Sequence, residues 1–563
     1  MWKSRECGLA LFLLLVSAMP GLAQQGGTIS GTLVDSVTGQ PIEKAAVTLT
    51  GVPARDHLTA FTTGSDGHFE FSGVAAGKYS LQARAHGYLS QAFNQHEGYS
   101  SAIAAGPGLD SENLTFRLPP ECVITGAVSD EAGEPVRGAE LSLYRDGIAA
   151  GAREVRPAQH AITDDQGGYH FGHLEAGQYY VVVSARVWYA QRPQLEIDST
   201  ELARMRGRHI GAMPRKIRTD PAVAPPRNND PEERRSPLDV VYPVTFYPGA
   251  IDASAASPIK VNPGERFIAN VRLQPVPAAH LEIQSSSPGE PGSVYVQLEQ
   301  KTPWGTFPAP SFTNVMIGSG KTLLTGIPPG RYEMKIRETK STGAETVRES
   351  EVEVGSDGAI EQSPDDPPAH VMAIVRDSTS AALPVHGALQ LYNPVTRDYF
   401  YAQIPQSGQV EYAEPIPPGR YVVAVTQSDG AFVKSLSATG AKIAGGMLNV
   451  ESGAQAKLLV VLGNGYGRIT GTALRQGKPF AGALVLLVPE QGANTALFRR
   501  DQSDSDGTFT LNAVVPGKYR VLAIENGWDL EWTKPEVLKK FAGGAVSVDV
   551  GTREKLDVKV EVQ

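Results

Sequence analysis

Cysteine is nearly absent: the 563-residue chain holds two, Cys7 and Cys122. Cys7 precedes an apolar N-terminal stretch, so cleavage of that stretch as a leader would leave Cys122 alone. One cysteine makes no internal disulfide, which excludes a stapled small-domain architecture even in an oxidising compartment. Any fold must therefore rest on apolar cores. Cys122 shares strand parity with Ile124, which favours a buried core thiol over a reactive one. Beyond the N-terminal stretch no run approaches the ~20 apolar residues of a spanning helix, so no transmembrane segment is expected after it. Positive charge is also in deficit, with 51 Lys and Arg against 60 Asp and Glu and a formal net charge of −9. That balance argues against general nucleic-acid binding, for which a basic domain is expected.

What the chain has instead is repetition. A four-residue phrase ending in Tyr recurs as Ala76-Gly77-Lys78-Tyr79, Ala176-Gly177-Gln178-Tyr179, Pro329-Gly330-Arg331-Tyr332, Pro418-Gly419-Arg420-Tyr421 and Pro516-Gly517-Lys518-Tyr519. The glycines step by 100, 153, 89 and 98 residues, the size of one small domain, so a single fold is used about five times. In copies one, two and five a turn and a strand precede the phrase: Asp66-Gly67-His68-Phe69, Gln166-Gly167-Gly168-Tyr169 and Asp506-Gly507-Thr508-Phe509. The turn glycine supplies a positive φ, and the aromatic residue then alternates with polar ones as in a half-buried strand. The phrase glycine is expected to start a second reversal in which only glycine is comfortable. Apolar runs such as Tyr179-Tyr180-Val181-Val182-Val183 follow it, and the Tyr opens that strand.

The module heads match as well. Thr28-Ile29-Ser30-Gly31-Thr32 parallels Val123-Ile124-Thr125-Gly126-Ala127 and Arg468-Ile469-Thr470-Gly471-Thr472, each followed by a Pro and a second strand. Short strands punctuated by Gly, Pro and Asp at regular intervals indicate an all-β chain of sandwiches. With head, turn and corner in place, the chain resembles tandem carboxypeptidase regulatory-like domains of bacterial type. The resemblance implies a tandem array of about five transthyretin-like/Ig-like β-sandwich domains, with copies three and four divergent because they keep only the corner and its flanking strands. The expected division is 24–119, 120–276 with an insertion at 191–239, 277–362, 367–463 and 464–563. Short Pro- and Gly-containing linkers between them point to a semi-rigid rod. The family implies no single function, since such modules serve as spacers, display units and carbohydrate-binding-like domains.

Catalytic constellations are weak. The resemblance makes a metallocarboxypeptidase the enzyme to look for, yet none of the 11 histidines is followed three residues later by Glu. His170 and His173 have a metal-like spacing but no carboxylate or cysteine partner nearby, which favours a chance surface pair. Asp504-x-Asp506-Gly507 hints at calcium, but the position is a plain turn elsewhere and no Glu closes a twelve-residue loop. Gly98-Tyr99-Ser100-Ser101-Ala102 lacks the final glycine of a nucleophile elbow. No catalytic residue, metal or cofactor is expected.

Two features remain for binding. Within the insertion, Arg204, Arg206, Arg208, Arg215, Lys216 and Arg218 occur with no acid between Glu201 and Asp220. This is either a solvated loop or a contact for a protein partner or anionic polymer. Trp188 and Tyr189 in copy two, and Trp528 and Trp532 in copy five, fall where strands give way to loops. They either pack loops against the sandwich ends or offer flat rings to the apolar face of a sugar. The expected function is a non-enzymatic β-sandwich protein that binds carbohydrate or another envelope ligand, or acts as a spacer; the alternative is recruitment of a partner through the basic insertion.

Residues 1–23 carry an address. Lys3 and Arg5 precede the apolar stretch Leu9 to Ala18, and Gly21 and Ala23 are the small residues a signal peptidase would accept. Secretion or a periplasmic location is expected. The mature chain should begin at Gln24, and N-terminal sequencing of protein recovered from the envelope or medium checks it; an intact Met1 in a membrane fraction would mean an uncleaved anchor.

Overall fold

The computed structural model describes residues 27–52, 58–109, 111–191, 236–284, 292–302, 305–308, 313–318, 321–340, 345–355, 360–362, 369–379, 383, 387–394, 398–413, 416–428, 430–490 and 494–563. The chain is all-β: among the described residues the α-helix is a single turn, Pro535–Leu538, followed by the 3-10 segment Lys539–Gly544. Apolar side chains gather into five successive cores, lying within residues 29–118, 122–273, 279–354, 369–462 and 469–560. Each core is sandwiched between two sheets.

The first sandwich shows the pattern. Gly27–Asp35 pairs antiparallel with His68–Val74 and parallel with Leu114–Leu118. The facing sheet runs Leu58–Thr62, Ala46–Val52, Gly77–Arg84, with Gln91–Ala92 and Ile103–Ala105 both on the last strand. Alternate residues of each strand point inward, so Ile29, Leu33, Val47, Phe69, Leu81 and Phe116 meet between the sheets. In the second sandwich, Thr245–Phe246 and Ile259–Val261 join Gly177–Ser184, while Arg266–Ile268 and Val271–Arg272 run parallel to Cys122–Ser129. Residues beyond the insertion thus complete this sandwich. Cys122 lies fully buried in it, its Sγ 3.0 Å from the carbonyl of Asn262, and burial pushes its pKa up.

The head glycine has a steric reason. A Cβ on Gly31, Gly126 or Gly471 would sit 2.2, 2.1 or 2.3 Å from the carbonyl oxygen of Leu114, Ala269 or Val558, each at the closing parallel strand. Only a residue without a side chain lets that strand approach. A further equivalence carries no obvious motif: Thr63, Thr163 and Ser503 occupy the same buried place. Each hydroxyl donates to a main-chain carbonyl (Ile42, Val136, Phe480) at 2.7–2.8 Å and accepts from a main-chain N–H (Ala45, Ala139, Ala483) at 2.8–3.0 Å.

The recurring Tyr is a hydrogen-bonded corner in all five sandwiches. Its hydroxyl donates to the carbonyl four residues upstream: Tyr79 to Ala75 at 3.0 Å, and Tyr179 to Glu175, Tyr332 to Pro328, Tyr421 to Pro417 and Tyr519 to Val515 at 2.7 Å. The expected role of the neighbouring glycine needs correction. Gly77, Gly177, Gly330 and Gly419 are not at positive φ and Gly517, at φ 159°, is close to fully extended, so the backbone is not strained there. The ring of the corner Tyr instead lies over the glycine, 3.4–3.8 Å from where a Cβ would stand. That is ordinary van der Waals contact, so neither a left-handed turn nor the ring requires a glycine at this place.

The rod expectation also fails. The fifth sandwich packs against the first and the second, through contacts that bring residues about 400 positions apart within hydrogen-bonding distance. Buried polar contacts between the first and fifth sandwiches hold this return.

The corner makes opposite demands on its two residues. Tyr519→Phe should destabilise the fifth sandwich by about 0.5–1.5 kcal/mol, the net value of one hydrogen bond, whereas Gly517→Ala should cost less because its Cβ meets only ordinary contact. Thermal unfolding of the two variants checks the order; a larger loss for Gly517→Ala would restore the strained-turn view.

Candidate functional site: the junction of the first, second and fifth sandwiches

The junction is built from loops at the ends of strands. From the first sandwich, the segment after Gln91–Ala92 presents His96, Glu97, Tyr99 and Ser101. From the second comes the tip of the hairpin Glu140–Ala149/Ala152–Ile162, where Ala150 and Gly151 take positive φ of 49° and 72°. From the fifth come the strand Arg499–Gln502, the turn Ser503 to Ser505 and the segment carrying Trp528 and Trp532.

Main-chain and side-chain groups alternate across the first contact. Ser101 Oγ donates to the Ser503 carbonyl, Ala102 N–H to Asp504 Oδ1 and Ala104 N–H to Ser505 Oγ, all at 2.8 Å, and Ser505 N–H returns to the Ala102 carbonyl at 2.9 Å. Gln502, almost fully buried, donates to the Asn94 carbonyl at 2.6 Å and to Ser101 Oγ at 3.0 Å, while its Oε1 lies 3.0 Å from His96 Nδ1. Lys78, within the corner phrase of copy one, pairs with Asp504 and reaches Asp506 at 3.6 Å. Asp504 and Asp506, which looked calcium-like, are thereby engaged with a lysine and a main-chain amide.

Glu97 ties the three sandwiches together. One carboxylate oxygen accepts from Ala150 N–H at 2.9 Å and the other faces Arg500 Nη2 at 3.0 Å. The Arg500 guanidinium lies over Tyr99, Trp532 and Trp528, at 5.3, 5.6 and 6.0 Å from the ring centroids, within cation–π range. Trp528 stacks on His96 at 5.7 Å. Trp532 presses on Gly151, where a Cβ would fall 2.1 Å from the indole, and Thr533 donates to the Gly151 carbonyl through both N–H (3.1 Å) and Oγ1 (2.7 Å). Beside this cluster opens a cleft of about 570 Å³ lined by Tyr99, Phe498, Arg500, Asp501, Asn512 and Trp532, among others. Burial raises the Asp501 carboxyl to about 6, against the opposing pull of the Thr510 main-chain N–H that it accepts at 2.6 Å. Burial likewise raises Asp504, with Lys78 opposing.

The aromatic residues singled out in the sequence divide. Trp528 and Trp532 are 5% and 4% exposed, so their faces are closed by neighbouring sandwiches and are not open to a sugar. Trp188 is 85% exposed, with its ring edge-on to Tyr189 at 5.6 Å. Tyr189 donates to Glu131, which also accepts from the Tyr242 hydroxyl at 3.0 Å; this bond and burial push the Tyr189 phenol up to about 12. Tyr189 is thus held as a packing residue, and the four candidates do not share one surface. Arg204, Arg206, Arg208, Arg215, Lys216 and Arg218 lie outside the described residues. His173 pairs with Glu121 and not with His170. Among the described residues no three or more His, Cys, Asp or Glu come together to hold a metal ion, and no helix is long and apolar enough to cross a membrane.

Glu97, Arg500 and Asp501 were not singled out by sequence. A signal exists: Arg499-Arg500-Asp501-Gln502 is wholly polar where the corresponding strand of copy one reads Leu58-Thr59-Ala60-Phe61-Thr62.

The family model for the carboxypeptidase regulatory-like domain matches residues 28–118 and 123–205. The chain carries tandem carboxypeptidase regulatory-like domains. The two matched carboxypeptidase regulatory-like domains contribute Glu97, Tyr99 and Gly151 to the junction; the fifth sandwich contributes the rest. No curated protein matches the chain. Solved structures similar to it include the minor pilin GBS52 of Streptococcus agalactiae, at 12% identity over 45% of this chain and 97% of that one, with a TM-score of 0.20. The Bacillus anthracis TIE protein matches at 10% identity over 92% and 68%, with a TM-score of 0.15, and the major pilin subunit BcpA of Bacillus cereus at 9% over 78% and 99%, with a TM-score of 0.13. At such scores the likeness carries no argument about function.

Asp501 sets a pH dependence. Its folded pKa of about 6 lies above the ordinary 3.8, so the folded state holds the proton more tightly and loses stability as pH rises from about 4 to about 6. Asp501→Asn should raise stability at pH 7 by about 1–3 kcal/mol and flatten the slope across that window, with Asp504 supplying what remains. Denaturant titrations at pH 4, 5, 6 and 7 check it; equal slopes in both proteins would refute it.

Proposed function

We propose that this chain is an exported, non-enzymatic β-sandwich protein of the cell envelope, secreted or periplasmic, whose carboxypeptidase regulatory-like domains form a closed scaffold that holds a surface ligand. The observation that carries the reading is the junction: a chain that only spaced two points apart would gain nothing from burying Gln502, Ser503 and Trp528 against its own first sandwich. Closing the array fixes the relative positions of three sandwiches and creates a cleft none of them has alone. The leader-like residues 1–23 support export.

A second reading has its own observation. Trp188, highly exposed, stands just before the insertion 191–239 with its Arg204 to Arg218 run, an aromatic next to a basic segment. Recruitment of a protein partner or anionic polymer there is the alternative, and deleting residues 192–235 would abolish such binding while leaving the junction closed.

Gly151→Val tests the scaffold. It forces a β-branched side chain into a left-handed position and against Trp532, so the fifth sandwich should part from the second. Small-angle X-ray scattering should show a larger radius of gyration for the variant than for the parent, with the β-sheet circular dichroism unchanged. Equal radii, both those of an extended array, would overturn the closed scaffold.

A further inference from the structure

The strand opened by the corner Tyr is covered along its far edge in the first two sandwiches. In the first, Ile103–Ala105 pairs with Gly77 to Tyr79 and Gln91–Ala92 with Gln82 and Ala83. In the second, Ile259–Val261 pairs with Gly177 to Tyr179 and Thr245–Phe246 with Val182 and Val183. The carbonyl two residues after the Tyr is taken in both: Leu81 accepts from Phe93 N–H at 2.8 Å and Val181 from Tyr247 N–H at 3.0 Å. The fourth sandwich differs. Its strand Gly419–Thr426 is covered by Met447–Val450 from Gly419 only as far as Val422, because that strand begins just after a reversal at Gly445 and Gly446, with φ of 60° and 77°. Beyond Val422 the far edge is open. Among the described residues the Val423 carbonyl and the N–H and carbonyl of Val425 have no main-chain partner on that side.

This edge lines a cleft of about 630 Å³ between the fourth and fifth sandwiches. Val422 to Val425 all line it, although the side chains of Val423 and Val425 pack on the core, so the strand presents its main chain there. The opposite wall is Phe432 to Leu436 of Ala431–Thr439, the outermost strand of the facing sheet. An open edge offers donors and acceptors in alternation, which another extended chain matches and a hydrocarbon does not. The fifth sandwich adds the apolar, half-buried Leu497 and Val515. Lys434, Arg499 and Lys518 line the cleft and no carboxylate does. Glu490 and Asp549 neighbour Lys518 along its sheet. Lys434 is exposed, and the bonds of Arg499 go to the main-chain carbonyls of Ala496, Phe498 and Ala513. Two cations are thus left without a carboxylate, and acidic groups on the occupant complement them.

We propose that the open edge at Val423 and Val425 receives an extended peptide from a partner protein, an apolar segment flanked by acidic residues that adds a strand where the first two sandwiches supply their own. The peptide main chain meets Val423 and Val425, its apolar side chains meet the cleft walls, and its acidic ends meet Lys434 and Arg499. This place lies apart from the junction and does not depend on closure of the fifth sandwich onto the first.

The experiment is calorimetry on the intact chain with the peptide Glu-Val-Thr-Phe-Tyr-Glu, whose centre copies residues 244–247, the run that fills the matching place in the second sandwich. There the amides of Thr245 and Tyr247 face the neighbouring strand, and that of Phe246 turns away to the Ala250 carbonyl. The peptide should bind saturably. N-methylation of its Thr and Tyr should weaken binding by about tenfold or more, and N-methylation of its Val and Phe should leave it nearly unchanged. Exchanging both terminal Glu for Lys, or Lys434→Glu in the protein, should weaken binding by about threefold or more. Lys434 is exposed, so the variant should keep the circular dichroism and unfolding temperature of the parent. Absent binding, equal effects of the two methylation sets, or indifference to both charge changes each overturns the proposal. Dodecanoate competing for the site with higher affinity would mean an acyl-chain site instead. A dimer in sedimentation velocity that the peptide dissociates would mean that a second copy of this chain is the occupant, and would likewise overturn it. Scattering on the same sample keeps the two readings apart: an open array that still binds the peptide refutes the scaffold alone, and a closed one that does not bind refutes this site alone.

Discussion

The hydrogen bond from the corner Tyr to the carbonyl four residues before it is the constraint on which each sandwich depends. It pins the loop that crosses between sheets to the start of the strand the Tyr opens, and so sets where that strand enters the core. In the first, second and fifth sandwiches the register then follows: the head glycine admits the parallel closing strand, and the buried Thr63, Thr163 or Ser503 ties two loops beneath it. Both devices leave main-chain polar groups satisfied where water cannot reach.

The junction uses the same parts for a different end. Lys78 is the variable position of one corner phrase, and Asp504 and Ser505 belong to one tight turn, yet here the corner of copy one faces the turn of copy five. A corner found in all five copies and a turn found in three are complementary here through residues that the repeat leaves free. Glu97 adds the second sandwich by accepting from Ala150 N–H and from Arg500 at once. Two donors on one partly buried carboxylate offset its desolvation better than either alone.

Much of the fold was legible because its signals are local. Tight glycine turns, period-two alternation and the Gly-x-Tyr phrase each act over a few residues, and the phrase recurs in five copies. The phrase glycine suggested a reversal because glycine is the usual residue of tight turns, whereas the backbone there is extended, and spacing alone carries no φ. Thr63, Thr163 and Ser503 escaped notice since a buried hydroxyl looks like any surface one in a sequence. Trp528 and Trp532 showed that loops carry large aromatics but not what covers them.

The sequence by itself determined the module: its length, its two sheets, its corner and its reliance on apolar packing in place of disulfides, because these follow from spacing and side-chain chemistry within about a hundred residues. Tertiary structure decided which modules meet. Glu97, Gly151 and Arg500 lie in three different copies and obey no common period, so nothing local marks them as neighbours. Their meeting depends on how the sandwiches are turned on one another, which brings the Arg500 guanidinium to the Glu97 carboxylate.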